Sequence, residues 1–151
     1  MKKLLKIILL LAIVLVLVAA VLFVLSNKNT VRIRTTSGQV VQYQVELAIS
    51  PEAQQKGLMH REKLAPKTGM LFLFSEDRVA HMWMKNTLIP LDMLFFDHNG
   101  RITHIHHNAI PYDETPISSG RRVAGVFEIN AGEARKYHIT PGAQIDLKKV
   151  R

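Results

Sequence analysis

An unbroken apolar run near the amino terminus constrains this chain more than any other feature. Ile7 to Leu25 contains 19 consecutive apolar residues. As a helix the run would be about 28 Å long, close to the roughly 30 Å hydrocarbon core of a bilayer. Lys2, Lys3 and Lys6 precede it, and basic residues that flank a span stay on the cytoplasmic side. The run therefore predicts a transmembrane helix with a cytoplasmic amino terminus and the rest of the chain outside.

A cleaved signal peptide is the competing interpretation of the same run. Signal peptides have apolar regions of roughly 7 to 15 residues that end at small residues. The segment 18–20 offers such residues, but the apolar residues 21–25 follow it and would leave an apolar mature end. We therefore expect an uncleaved signal-anchor. The predicted organisation is a basic cytoplasmic flank, the anchor, a linker and an extracytoplasmic domain at the periplasm or cell surface: residues 1–6, 7–25, 26–30 and 31–151.

Composition excludes several classes of protein. The chain has 151 residues and no cysteine, which excludes disulfides, thiolate metal sites and a cysteine nucleophile. The formal charge is +8, but four lysines flank the anchor and all 12 acidic residues lie beyond residue 30, so the domain carries 16 minus 12, or +4. This charge is ordinary. Because the domain is expected outside the cytoplasm and shows no recognition motif, no nucleic acid partner is expected.

Strand signals dominate the domain. Val40 to Ala48 alternates apolar and polar residues, the period of a half-buried strand, and Ser37-Gly38 before it is a hairpin turn signal. Asp97 to Gly100 predicts a second tight turn. The predicted strands are 31–35, 40–48, 69–74, 79–84, 88–96, 102–107, 123–129 and 145–147.

One helix has clear boundaries. Ser50 is a capping residue, Pro51 suits the first helical position, and Gly57 suits the end. Residues 111–120 contain two prolines and predict a loop, and 132–137 predict one helical turn. About eight short strands with one helix, and no regular alternation of the two, predict a mainly β fold. We expect a small antiparallel sandwich or a partly open barrel, preceded by the transmembrane helix.

Four motifs resemble the family named domain of unknown function 192. They are Gly57–Arg61, Gly69–Phe72, Met82–Met93 and Glu128–Gly132. The string Trp-Met-Lys-Asn-Thr, followed by Ile-Pro-Leu-Asp-Met, is specific to that family. The resemblance runs from Val45 to Leu147 and implies a compact β-rich domain, often exported or membrane-anchored in prokaryotes, with no established activity. His81-Met82 departs from the family, which more often shows an aromatic or apolar pair before the tryptophan.

A polar break between two apolar strands is the main candidate site. If the second strand folds back on the first, Lys85 and Asp92 face each other at one rim. Trp83 and Arg61 then add an aromatic wall and a second cation, a combination that suits an anionic or sugar-like ligand. In the structural alternative, Asn86 makes a turn, Lys85 is solvated and Asp92 accepts backbone hydrogen bonds. The candidate ligand-binding residues are Arg61, Trp83, Lys85, Asn86 and Asp92.

Two clusters contain possible metal ligands. His81, Met82 and Met84 offer imidazole and thioether groups that suit Cu(I). Strand geometry limits that site, since alternate residues point to opposite faces. His104 and His106 share one strand face and would need a third ligand to hold Zn(II) or Cu(II). Methionine is also a common core residue, and exposed histidines are common on strands, so both clusters have an ordinary structural interpretation. Apart from such a metal, no cofactor is expected.

These observations favour binding over catalysis. No nucleophile elbow, zinc-protease motif or phosphate loop is present in the sequence. We expect a membrane-anchored domain that binds a small polar or anionic ligand or an envelope protein, with the lipid bilayer as the partner of residues 7–25. A Cu(I) or other metal-binding protein is one alternative. A hydrolase-type enzyme that uses Lys85 and Asp92 is the other.

Overall fold

The computed structural model of the protein describes residues 10–18, 29–148 and 150. Residues 10–18 form a helix, α1. Among these described residues, no helix is long and apolar enough to cross a membrane. Residues 7–9 and 19–25 of the predicted anchor lie outside the described part of the chain, so the anchor remains a prediction.

From residue 29 onward the chain forms a mainly β domain, as predicted. In chain order its elements are β1 (Thr30–Arg34), β2 (Val40–Ala48), α2 (Pro51–Lys56), β3 (Thr68–Met82), β4 (Leu91–Phe96), β5 (Ile102–Ala109), β6 (Ile117–Asn130), α3 (Glu133–Lys136) and β7 (Gln144–Asp146). The predictions of a helix that starts at Pro51 and of a helical turn within 132–137 are confirmed.

The strands form one curled sheet. Their order is β5-β4-β6-β3-β2-β1-β7, and neighbouring strands are antiparallel except β2 and β3, which are parallel and are connected through α2. Since all seven described strands belong to one sheet, the prediction of a two-sheet sandwich is wrong and that of a partly open barrel is closer. The parallel pair also corrects the expected all-antiparallel arrangement, because α2 returns the chain to the starting end of β2.

The two edges of the sheet meet at one end. Ile102 donates a backbone hydrogen bond to Ala143 at 2.8 Å and accepts one from Gly142 at 2.8 Å. Ile145 donates to the Gly100 carbonyl, also at 2.8 Å. Gly100 has φ +81°, and a Cβ atom there would collide with the carbonyl oxygen of Ile145. Glycine is therefore required both for the predicted turn and for the close approach of the edges.

The curled sheet has a core on each face. The inner core draws buried side chains from all seven strands and is therefore on the concave face, with Ile33, Tyr43 and Phe127 among its members. The outer core is smaller and includes Leu58 and Met84 from the connecting segments. Every residue of β4 is buried, since both faces of that strand are covered.

A long ribbon departs from the sequence-based prediction. The two strands predicted at 69–74 and 79–84 are one strand, β3, and the loop predicted at 111–120 gives way to β6 from Ile117. The two strands remain paired out to Met82 and Ile117, with register shifts between Leu73 and Arg78 and between Val79 and His81. Most side chains midway along this ribbon are at least partly exposed. Without a buried face, they show no apolar alternation that could reveal a strand.

Candidate functional site

A surface groove lies between α2 and the segment that follows β3. It has a volume of about 450 Å³, within the range of small-molecule sites. Three segments line it: α2, the turn after α2, and the β3–β4 connection. The lining residues are Glu52, Gln55, Lys56, Met59, His60, Trp83, Lys85 and Asn86. We call it the tryptophan groove.

Local chain geometry fixes the β3–β4 wall of the groove. Met84 is fully buried in the outer core, which leaves Trp83 and Lys85 on either side of it exposed to solvent. Asn86 adopts φ +52°, and its carbonyl accepts a 2.8 Å hydrogen bond from the amide of His60. That bond connects the two walls. The expected turn at Asn86 is therefore present, and it has a role in shaping the groove.

Helix α2 forms the other wall. The Ser50 hydroxyl accepts a hydrogen bond from the Ala53 amide at 3.2 Å, as expected of a capping residue. Gly57 ends the helix with φ +49°, and its amide donates to the Ala53 carbonyl. A Cβ atom at Gly57 would lie 3.3 Å from the Phe72 ring. The helix end is thus packed directly onto the sheet, which gives the groove a firm base.

A small cavity of about 20 Å³ adjoins the groove. It shares four lining residues with the groove: Gln55, Lys56, Met59 and Trp83. Glu128 of β6 lines this cavity and is 4% exposed. Its neighbours across the sheet are Met70 and Met93. We call this space the Glu128 cavity.

The side chain of Glu128 is almost fully buried beside this cavity. Within residues 29–148, no hydrogen bond or ion pair to its side chain is present, and burial raises its pKa to about 8. A buried polar group without a partner is unfavourable by several kcal/mol in an apolar site, and such groups in native structures concentrate at functional sites. Glu128 is not among the candidate residues predicted from the sequence. The available signal was a single acid inside the apolar strand 123–129.

Asp92 is also buried, but it lies on the opposite face of the sheet. Its two carboxylate oxygens accept 3.0 Å hydrogen bonds from the amides of Asn108 and Ala134. His107 Nδ1 lies 3.7 Å from one of these oxygens. In the described part of the chain, no ion pair joins Asp92 to Lys85. The expected juxtaposition of these two residues is absent, and the structural alternative of a backbone-binding carboxylate describes Asp92.

Arg61 also lies away from the tryptophan groove. Its guanidinium donates to both oxygens of Glu46 at 2.5 and 2.6 Å, and the two side chains line a separate depression. The hydrogen bonds from Arg61 are the main reason that the pKa of Glu46 is lowered. Of the five candidate ligand-binding residues, the structure therefore brings together Trp83, Lys85 and Asn86.

The candidate metal ligands do not converge. His81 is exposed, Met82 is half-buried and Met84 is fully buried. His104 stacks on Phe95 with ring centroids 5.7 Å apart. His106 lies on the same face of β5 as His104, and burial is the largest cause of its lowered pKa. Across residues 10–18, 29–148 and 150, no three histidine or acidic side chains are grouped closely enough to hold a metal ion.

Comparison with known proteins confirms the resemblance read from the motifs. A sequence model of the family described as Uncharacterized ACR, COG1430 (DUF192) matches residues 32–147. A solved structure of a candidate transcription regulator from Sinorhizobium meliloti 1021 is 46% identical, with a TM-score of 0.78 over 79% of this chain and 92% of that one. A protein of unknown function from Novosphingobium aromaticivorans DSM 12444 is 39% identical, with a TM-score of 0.76 over 79% and 84%. No protein with a curated description matches this chain.

Proposed function

Because this chain belongs to the domain of unknown function 192 family, whose description states no activity, we propose a function from the groove itself: the domain binds a small polar ligand there. The observation that carries the proposal is the position of Trp83. This side chain is 48% exposed and lines a groove of about 450 Å³ together with two lysines and an asparagine. A large aromatic surface beside charged and amide groups is typical of a binding site.

The lining residues indicate the chemistry of the ligand. Lys56 and Lys85 supply positive charge, and the Asn86 side chain can donate and accept hydrogen bonds. These groups suit an anionic or hydroxyl-bearing ligand whose flat or apolar face stacks on Trp83. Arg61 and Asp92 take no part in this binding, since each already has structural partners.

Thermal unfolding of the full chain tests the proposal. Its melting temperature is measured alone, with a chelator, and with panels of metals, sugars and anionic metabolites. A ligand at about 100 times its Kd stabilises the folded form by roughly 2.7 kcal/mol, which is several degrees for a domain of this size. Because Trp83 is the only tryptophan, its fluorescence reports the same binding directly.

Two lysine variants provide the matched comparison. Lys85→Ala removes a groove cation and is expected to reduce the shift, whereas Lys63→Ala removes an exposed lysine outside the tryptophan groove and should leave it unchanged. If no small molecule shifts the melting temperature or the fluorescence, the groove proposal is wrong and an envelope protein becomes the expected partner.

We also propose that the domain is anchored at the outer face of a membrane. The support is the 19-residue apolar run and the three lysines before it. An alkaline phosphatase reporter fused after Arg151 is active only outside the cytoplasm, so activity of the membrane fraction is expected. A green fluorescent reporter at the same place is the opposite control. Bright fluorescence with an inactive phosphatase would contradict this location.

A further inference from the structure

The Glu128 cavity indicates the chemical class of the ligand. Resting on the proposed function of the tryptophan groove, we infer that the ligand is zwitterionic: a primary ammonium group enters the Glu128 cavity while an anionic group stays at the rim with Lys85. The ligand is thus a small amino acid or a similar amino-carboxylate. The two spaces adjoin each other, since Trp83 and Met59 line both.

The carboxyl group of Glu128 lines the cavity without a partner among the residues that the structure describes. Glu128 is 4% exposed and has no hydrogen bond or ion pair with any residue in the described part of the chain. Lys56 is the one basic residue among those lining the cavity, and it is exposed and makes no ion pair with Glu128 there. The protein's own cations therefore leave this carboxyl group uncompensated.

Two polar side chains that line the cavity, Thr87 and Gln54, are already hydrogen-bonded to backbone carbonyls. The Thr87 hydroxyl donates to the Lys85 carbonyl at 3.2 Å. The Gln54 amide nitrogen lies within hydrogen-bond distance of three backbone carbonyls, the shortest being that of Leu73 at 2.8 Å. An incoming group must then supply its own donors to Glu128. An ammonium group carries three donors and a positive charge, which matches an ionised carboxylate.

The size and the lining residues of the cavity also indicate which group can enter. A cavity of about 20 Å³ holds roughly one small polar group. Trp83, Phe72, Met59 and Met82 are among the residues that line it. Aromatic faces attract cations, whereas they provide nothing to an anion. The cavity therefore favours an ammonium group over an anionic group, and the anionic group lies at the rim with Lys85.

Binding of the ammonium group displaces a proton. Burial raises the pKa of Glu128 to about 8, so the empty site is protonated at neutral pH. When the ammonium group enters, this proton leaves to solvent and the carboxylate pairs with the cation. The other ionisable groups lining the groove and cavity are Glu52, Lys56, His60 and Lys85.

Matched ligands test the inference on the full chain. The probes are γ-aminobutyrate and ω-aminohexanoate, each compared with the fatty acid and the alkylamine of equal chain length. Trp83 fluorescence and titration calorimetry give Kd. At least one amino acid is expected to bind about tenfold or more tightly than its fatty acid. Glu128→Gln should remove that advantage while leaving fatty-acid binding within about twofold. Calorimetry in buffers of different ionisation enthalpy should show proton release at neutral pH.

The outcomes separate this inference from the proposed function. If amino acids and fatty acids bind equally, and Glu128→Gln changes neither, the groove binds anions and the ammonium inference is overturned. If none of these probes binds but another compound from the thermal-unfolding panel does, the inference of a zwitterionic ligand is overturned. The proposal that the groove binds a small molecule then still stands. If nothing binds at all, both are wrong. Glu128→Leu, which removes the acceptor entirely, serves as a second variant if the glutamine variant folds poorly.

Discussion

Two neighbouring strands each bury a carboxyl group, on opposite faces of the same sheet. Asp92 of β4 pairs with Ile129, and Glu128 of β6 pairs with Met93, one position along. On the inner face, both oxygens of Asp92 accept backbone hydrogen bonds. On the outer face, Glu128 has no protein partner in the described residues and borders a cavity that adjoins the groove. The contrast indicates that buried acids should be assigned by their partners: Asp92 is held by backbone amides of the fold, whereas Glu128 has no such partner among the described residues.

Replacing Asp92 is expected to have the largest effect on stability. Asp92→Ala leaves the amides of Asn108 and Ala134 without acceptors in the interior, and each unpaired buried donor is unfavourable by about 1–3 kcal/mol. We expect a loss of about 2–5 kcal/mol in the free energy of unfolding, measured by urea denaturation. Asp92→Asn keeps one acceptor and should lose less. A loss below about 1 kcal/mol would show that these bonds are not essential to the inner face.

The stability contributed by Glu128 should depend on pH. Its pKa is raised from 4.5 to about 8 in the folded protein, so the folded state retains a proton that the unfolded state releases. This contribution is fully present below pH 4.5 and is lost as pH rises to about 8, by up to several kcal/mol. Urea denaturation at about pH 5, 7 and 9 should show this decline.

Glu128→Gln isolates that decline from other titrating groups. The amide does not ionise, so the variant should not show this loss of unfolding free energy as pH rises. Its stability relative to the wild type should therefore increase with pH. A difference that stays constant with pH would mean that Glu128 is not held in its neutral form.

The ion pair between Arg61 and Glu46 should contribute much less than either buried acid. Both side chains are partly exposed, 33% and 56% respectively, and exposed pairs are typically worth about 0.2–1 kcal/mol. A double-mutant cycle with Arg61→Ala and Glu46→Gln should give a coupling energy in that range. Ligand binding to the tryptophan groove should be unchanged in both variants. A large loss of binding in Arg61→Ala would show that Arg61 contributes to the site.

Lys85→Ala should have the smallest effect on stability. Lys85 is exposed and has no ion pair within residues 29–148, so the change should stay within about 0.5 kcal/mol. Anion binding at the groove rim, followed by Trp83 fluorescence, should nevertheless weaken. If binding is unchanged, Lys56 and not Lys85 binds the anionic group of the ligand.

Sequence patterns predicted a strand or helix correctly where one face of it is buried or where its capping residues are present. The alternation in β2 and the capping residues of α2 fixed both elements closely. Residues 75–78 and 117–122 of the β3–β6 ribbon are mostly exposed, so no apolar alternation predicted a strand there. At the site, Trp83, Lys85 and Asn86 were found because they are adjacent in sequence. Glu128 was missed because its position beside Trp83 in the cavity lining depends on how β6 pairs within the sheet.

The pairing of β1 with β7 has a consequence for the timing of folding. Arg34 pairs with Gln144, 144 minus 34 or 110 residues later in the chain. At roughly 5–20 residues per second, a ribosome needs on the order of 5–20 s to supply β7 after β1 has been made. During that interval one edge of β1 lacks its final neighbour, and an unpaired edge can pair with another chain. That edge of β1 is therefore open to misassociation until β7 has been made.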